Sequence, residues 1–218
     1  MMKGLLIKDF KLMKGQINFF FIIIAISVGI AAFSDDSSFM IGFLPFVLSL
    51  FTLSTISYDE FDNGNAFLFT LPVSRTNYTI EKYCLALLLG GGAWVLAVIS
   101  AVVFCIAKKT GSVSDVGMTA VSILPALIVI QAVMIPFQLK FGGEKGRIAL
   151  IGTLGLLFVV GMVIGKAAQI LGIDIADMID NFPVVSMGVM VTALVAAAAI
   201  LLLVSMKISI TIMKNKEF

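Results

Sequence analysis

The sequence contains no histidine. That excludes Ser–His and Cys–His catalytic pairs and every histidine-ligated metal site. It has two cysteines, Cys84 and Cys105. Both fall in one expected helix, whose rise of ~1.5 Å per residue holds them roughly 30 Å apart, too far to bridge to each other. They read as small apolar fillers. Charge is also scarce, at 13% of 218 residues, where an ordinary soluble domain carries about 25%. The net charge of +2 is too small to point to nucleic acid. What remains is 60% hydrophobic, arranged in long apolar runs near the ~20-residue length that crosses a bilayer. A membrane barrel would show alternating segments of about ten residues instead. The expected fold class is therefore an all-α polytopic membrane protein, a single transmembrane domain over residues 1–218 with no room for a soluble one.

Residues 1–16 read as an amphipathic helix lying in the membrane interface. Lys3, Lys8, Lys11 and Lys14 gather on one side and Met2, Leu5, Leu6, Leu12 and Met13 on the other. Asp9 falls among the apolar residues with no base within reach on its own helix. It either snorkels to water or pairs with a base on another cytoplasmic element. Six spans follow, at about 17–33, 39–57, 83–107, 118–139, 148–165 and 183–206. The first is too long for a signal peptide. The third is expected to be softened by Gly90-Gly91-Gly92, and no internal repeat is evident. Six spans put both termini on one side. That side collects Lys3, Lys8, Lys11, Lys14, Arg75, Lys82, Lys140, Lys145, Arg147, Lys207, Lys214 and Lys216, against Lys108, Lys109 and Lys166 on the other. The positive-inside rule makes the termini, 58–82 and 140–147 cytoplasmic.

The stretch 58–82, YDEFDNGNAFLFTLPVSRTNYTIEK, is a polar island between two spans. A plain connection between helices runs about two to eight residues, and this one is roughly three times longer. It exposes Phe61, Phe67, Leu68, Phe69 and Leu71, and an exposed apolar run marks a contact surface. Asp59, Glu60 and Asp62 stand at the C-terminal end of the second span, where the helix dipole disfavours acids. Either water screens them or a basic partner offsets the cost. A short helix over 66–71 ends at Pro72, and Ser74 caps the next one. The island reads as the place where another protein grips a membrane channel.

Tests for chemistry come out negative. The string nearest to a phosphate-binding loop, Gly161 to Ala167, is one residue short and lacks the Ser/Thr. Gly161 and Gly165, with Gly155 and Gly152, read either as a close helix-packing face or as incidental glycine. None of the six expected spans carries an ionisable residue, whereas ion-coupled transporters and aspartyl intramembrane proteases need them. Gln131, in mid-span, should make an interhelical hydrogen bond. Ser49, Thr52 and Thr55 share one face of the second span and either bond their own helix carbonyls or line a path. Asp174, Asp177 and Asp180 form either a solvated acidic face or an exit vestibule for cations.

Four features together resemble the permease subunits of ABC-2 type ABC transporters, closest in flavour to bacterial exporters of phenol-soluble modulins, lantibiotics and bacitracin. They are GLLIKDF (4–10), the six-span layout, the acid-rich end of span two followed by FLFTLPVSR (67–75), and NYTIEKY (77–83). The resemblance implies a bacterial cytoplasmic-membrane exporter without enzymatic activity or a cofactor of its own. ATP and Mg would sit on a separate nucleotide-binding ATPase subunit. Asp59, Glu60, Phe61, Asp62, Phe67, Leu68, Phe69, Leu71 and Arg75 would form the coupling segment that docks on it. A second permease copy, identical or a close paralogue, would pack through spans one and five at Gly155, Gly161 and Gly165. A mostly apolar path with acids outside suits amphipathic peptides, then hydrophobic drugs. The alternative is a membrane scaffold or sensor that binds a soluble cytoplasmic partner and moves nothing.

Overall fold

A computed structural model describes residues 2–34, 38–109, 112–143, 145–146, 148, 151–152, 155, 162–163, 166 and 187–217. Among them the secondary structure is helical throughout. The elements are α1 (Met2–Gly15), α2 (Ile17–Phe33), α3 (Ser38–Glu60), a 3-10 turn (Phe61–Asn63), α4 (Gly64–Leu68), α5 (Arg75–Lys108), α6 (Val113–Phe141) and α7 (Met187–Asn215). Four stretches are long and apolar enough to cross a membrane: Ser38–Leu68, Arg75–Lys108, Val113–Phe141 and Gly188–Asn215. The pair α1 and α2, bent by 69° between them, makes a fifth if counted as one broken span. The chain is thus a multi-pass helical membrane protein, with four to five such spans among the described residues; most of the expected fifth span lies outside them. Most of 148–165 lies outside the described residues, as do Gly161, Gly165, Asp174, Asp177 and Asp180, whereas Gly155 is described and exposed.

Several elements differ from the sequence expectation for local reasons. The glycine triplet does not interrupt α5, which runs unbroken through it. The helix needs Gly90 for a different purpose: a Cβ there would sit 2.7 Å from Gln131 Nε2 and 3.3 Å from Ser49 Cβ. This is where α3, α5 and α6 approach closely, and Gln131 Nε2 donates across it to the Ala86 carbonyl at 3.2 Å. The loop expected over 108–117 is mostly helix, because Ser112 caps α6 by accepting from the Asp115 amide at 3.2 Å. The tail expected from Lys207 continues α7 to Asn215.

Helix α3 packs on α2, α5 and α6, and α7 packs on α5 and α6. Lipid tails are as apolar as leucine, so association inside a bilayer rests on close packing and polar bonds rather than on burial alone. The buried face of α5 reflects this. Gly90, Ala93, Ala97, Ala101 and Cys105 follow one another at three- and four-residue steps and let α3 come close. Cys105 is buried as a small filler, whereas Cys84 is half-buried. At the end that carries α1 and α4, one core draws on six helices: Leu5, Ile56, Leu68, Tyr78, Leu139 and Met213 all contribute.

Pro136 shows how a broken ladder is repaired. Its ring nitrogen has no hydrogen for the Ala132 carbonyl one turn back. Ser205 Oγ on α7 donates to that carbonyl instead. The same hydroxyl and Ser209 Oγ lie 2.7 and 2.8 Å from the Tyr83 hydroxyl on α5, so three helices are tied at one level.

Candidate functional site

The residues singled out in the sequence converge on the end of the bundle where α1, the end of α3, the start of α5 and the end of α7 meet. Helix α5 has 34 residues and is about 51 Å long at 1.5 Å per residue, against ~30 Å of hydrocarbon. Its first two turns, before Tyr83, therefore stand clear of the apolar stretch.

Lys82 lies there, fully buried. Its Nζ is 2.5 Å from Asp9 Oδ2 on α1, 2.9 Å from Asp59 Oδ2 on α3, and donates to Thr55 Oγ1 at 3.1 Å. Lys8 adds an ion pair to Asp59 and approaches Asp9 Oδ1 at 3.2 Å. Tyr78 donates its hydroxyl to Asp59 Oδ2 at 3.1 Å. Glu81 Oε2 is 3.6 Å from Lys82, and among the described residues neither Glu81 oxygen has a hydrogen-bond partner. Of the two readings of Asp9, the ion pair to another element holds, and Lys8, its neighbour on α1, is within reach as well, contrary to the expectation from three- and four-residue spacing. Burial alone would push the Asp59 carboxyl up, but Lys82 and Lys8 outweigh it and hold it below the usual range. Burial would lower Lys82; Asp59, Asp9 and Glu81 together raise it instead. Burial lifts Glu81 to about 7, with Lys82 opposing and Asp9 adding to the rise. The cluster thus carries three carboxyls against two ammonium groups, and Glu81 holds the proton that balances it below neutral pH.

A second set of bonds fastens the chain's far end. Arg75 Nη1 donates to the carbonyls of Met213, Lys214 and Lys216 at 3.1, 2.7 and 2.7 Å, closing the C-terminus of α7. Lys216 Nζ reaches Glu60 Oε1 at 2.7 Å and the Leu139 carbonyl at 2.8 Å. Gln138 Nε2 donates to Ser57 Oγ at 2.8 Å. Gly143 packs closely on this bond: a Cβ there would lie 2.8 Å from Ser57 Oγ and would have to displace it.

Above these bonds stands a tip. Asp62 and Asn63 take left-handed backbone at φ 51° and 58°, which short polar side chains tolerate. Gly64 follows because a Cβ would lie 2.7 Å from the Asp59 carbonyl. The short helix then runs Gly64–Leu68, earlier than the expected 66–71. Ser74 caps α5 as expected, accepting from the Asn77 amide at 3.1 Å.

The expected docking set divides. Phe61 is 79% and Phe67 70% exposed, and Asp62 and Leu71 are exposed beside them. Leu68 is buried in the core, and Phe69 packs edge-on against Tyr78 at 5.6 Å with the Arg75 guanidinium over its ring. Asp59 and Glu60 pair inside the chain rather than facing outward. A short helix lying on its own bundle buries one side, and Leu68 and Phe69 are on it. Ser49, Thr52 and Thr55 are all buried. Ser49 Oγ and Thr55 Oγ1 donate to the carbonyls of Phe46 and Thr52, both at 2.8 Å. Lys8, Tyr78, Glu81 and Lys82 were not anticipated as a unit. The one signal was Asp9, an acid on an apolar face that required a base elsewhere.

Comparison with known proteins adds the family. A family model described as "ABC-2 family transporter protein" matches residues 4–214, nearly the whole chain. No curated protein and no solved structure matches. Residues 4–214 include the charged elbow α1, the tip and the end of α7 that Arg75 closes, and over that length the chain belongs to the ABC-2 family of transporter proteins.

Proposed function

We propose that this chain is the permease subunit of an ATP-driven exporter in a bacterial cytoplasmic membrane, coupled through its tip to a separate ATPase chain that holds ATP and Mg. The observation that carries the reading is the pair Phe61 and Phe67, exposed at 79% and 70% on a turn braced from below by the Lys82 cluster. Two aromatic side chains on a short stiff projection suit a groove on a soluble partner, and such anchors dominate interface energies. Asp62 and Leu71 complete that surface. Asp59, Glu60, Leu68, Phe69 and Arg75 act from beneath it, transmitting displacement of the tip to α1, α5 and α7.

A second copy or a close paralogue would complete the transporter, with Gly155, Gly161 and Gly165 in the contact. The cargo most compatible with spans that lack ionisable groups is an amphipathic membrane-active peptide, then a hydrophobic drug. The test is co-purification of the tagged chain from its own membranes, intact against the double variant Phe61→Ala/Phe67→Ala. The intact chain should retain a nucleotide-binding ATPase. The variant should insert normally and lose ~thirtyfold or more in association. If the intact chain brings down no ATPase, the scaffold reading replaces this one. Unchanged peptide tolerance in cells lacking the chain would remove the peptide cargo.

A further inference from the structure

We propose that the groove between α6 and α7 is a binding site for an anionic phospholipid, one acyl chain lying along the groove and the headgroup phosphate held by Lys140 and Lys207. The groove is about 550 Å³. Pro136 and Phe137 form one wall and Val204, Ile208 and Ile212 the other. On α7 these fall at four-residue steps, a continuous apolar stripe along one face. The floor is fixed by the bond from Ser205 to the Ala132 carbonyl that Pro136 leaves open, so the groove is formed before anything enters it.

Its mouth is chemically different. A second pocket of about 580 Å³ shares Lys140, Ile208 and Ile212 with the groove and adds Lys207, Thr211, Asn215 and Lys216, whose ammonium is held by Glu60 and the Leu139 carbonyl. Lys140 and Lys207 are both exposed. Among the described residues neither has a carboxylate partner. Lys140 Nζ instead sits 5.1 Å from the Phe141 ring. Two cations beside a hydroxyl and an amide, opening onto an apolar trough, match a phosphate diester joined to a hydrocarbon chain. The mouth is at the end of the bundle that carries α1 and the tip, where basic pockets between spans meet the anionic leaflet. A zwitterionic lipid offers the same chains but brings a cation of its own to two lysines, so the site selects on charge.

The test uses the full chain in detergent, titrated with phosphatidylglycerol or phosphatidylcholine and read by native mass spectrometry. Phosphatidylglycerol should be retained about twenty-five-fold better, at roughly fivefold per lysine. Lys140→Gln/Lys207→Gln should abolish the preference and Lys140→Arg/Lys207→Arg should keep it. Val204→Trp should block retention with both lysines in place. Equal retention of the two lipids by the intact chain would overturn the proposal. So would full competition by glycerol phosphate, which would make this a free-phosphate site. Efficient cross-linking of an Ile212→Cys variant to a second copy would also overturn it, by showing that protein covers the groove.

Discussion

Helix α5 has a lysine at each end, and the two are used in opposite ways. Lys82 is sealed among Asp9, Asp59, Glu81 and Thr55. Lys108 is half-buried and donates to the backbone carbonyls of Ala31 and Ser34 at 2.9 and 2.7 Å, where α2 ends. Lys82 joins three helices through charge and cannot be withdrawn without stranding carboxylates. Lys108 closes one helix terminus, and water can take its place. Between them the buried contact uses small side chains from Ala93 to Cys105, with Trp94 Nε1 donating to the Ala120 carbonyl at 3.0 Å. The bundle is thus locked at the end that carries the tip and compliant at the other. That distribution suits the proposed role, in which force arrives at the tip.

The comparison breaks most severely at Lys82. Lys82→Met keeps most of the volume and leaves Asp9 and Asp59 with Lys8 alone. Removing one partner of a buried ion pair costs about 3–5 kcal/mol, because the remaining charge is uncompensated. The unfolding midpoint in detergent should fall accordingly. Adding Asp9→Asn should return part of the loss, and the two changes should be far from additive. Strict additivity would mean that the two groups do not form one unit.

The contrast between the ends of α5 was only partly legible in sequence. Local chemistry was readable: the Ser74 cap, the Gln131 bond between helices, and Asp9 as an acid that needed a partner. Lys82 was not, because a base at the edge of a span looks like an ordinary interfacial lysine until another helix brings carboxylates to it. The island was read as exposed for a related reason. Periodicity shows which residues share a face of α4 but not that the face rests on Tyr78 and Leu139, which lie on other helices. Part of the tip's anchoring comes from residues more than a hundred positions away, Met213 to Lys216 on Arg75 and Glu60.

The middle of α5 sharpens the comparison with a built-in control. Gly90→Ala places a methyl 2.7 Å from Gln131 Nε2. It must push that amide off the Ala86 carbonyl, at a cost of about 1–3 kcal/mol. Gly91→Ala, with nothing within 4 Å of the new methyl, should be neutral or gain up to ~1 kcal/mol of helix propensity. Thermal unfolding of the two variants side by side decides it. Equal losses would show that the triplet matters for flexibility rather than for packing.

Acidity probes the locked end alone. The Glu81 carboxyl is raised from 4.5 to about 7 by burial, against Lys82 and with Asp9. Between those values the folded chain binds a proton that the unfolded chain has released, so stability falls as pH rises through the window. Asp59 is shifted downward and Lys82 upward, which leaves both constant from pH 5 to 8. The unfolding midpoint should therefore decline across that range, and Glu81→Gln should flatten the decline. A slope that survives the substitution would move the proton to another group.

The smallest effect is expected at the compliant end, and it is the other half of the comparison. Lys108→Met removes two bonds, each to a backbone carbonyl at the end of α2. A cation at a helix C-terminus contributes about 0.3–1 kcal/mol. The freed carbonyls belong to the last turn of α2, at the edge of the apolar run, where water can replace the ammonium. No buried charge is left behind. The midpoint should drop slightly, and raised salt, which screens an exposed charge, should narrow the gap between the variant and the parent. Lys82→Met should show no such rescue, because its partners are sealed from ions. If Lys108→Met costs as much as Lys82→Met, then the end away from the tip is locked as well, and the distribution of stiffness along α5 is not what couples the tip to the bundle.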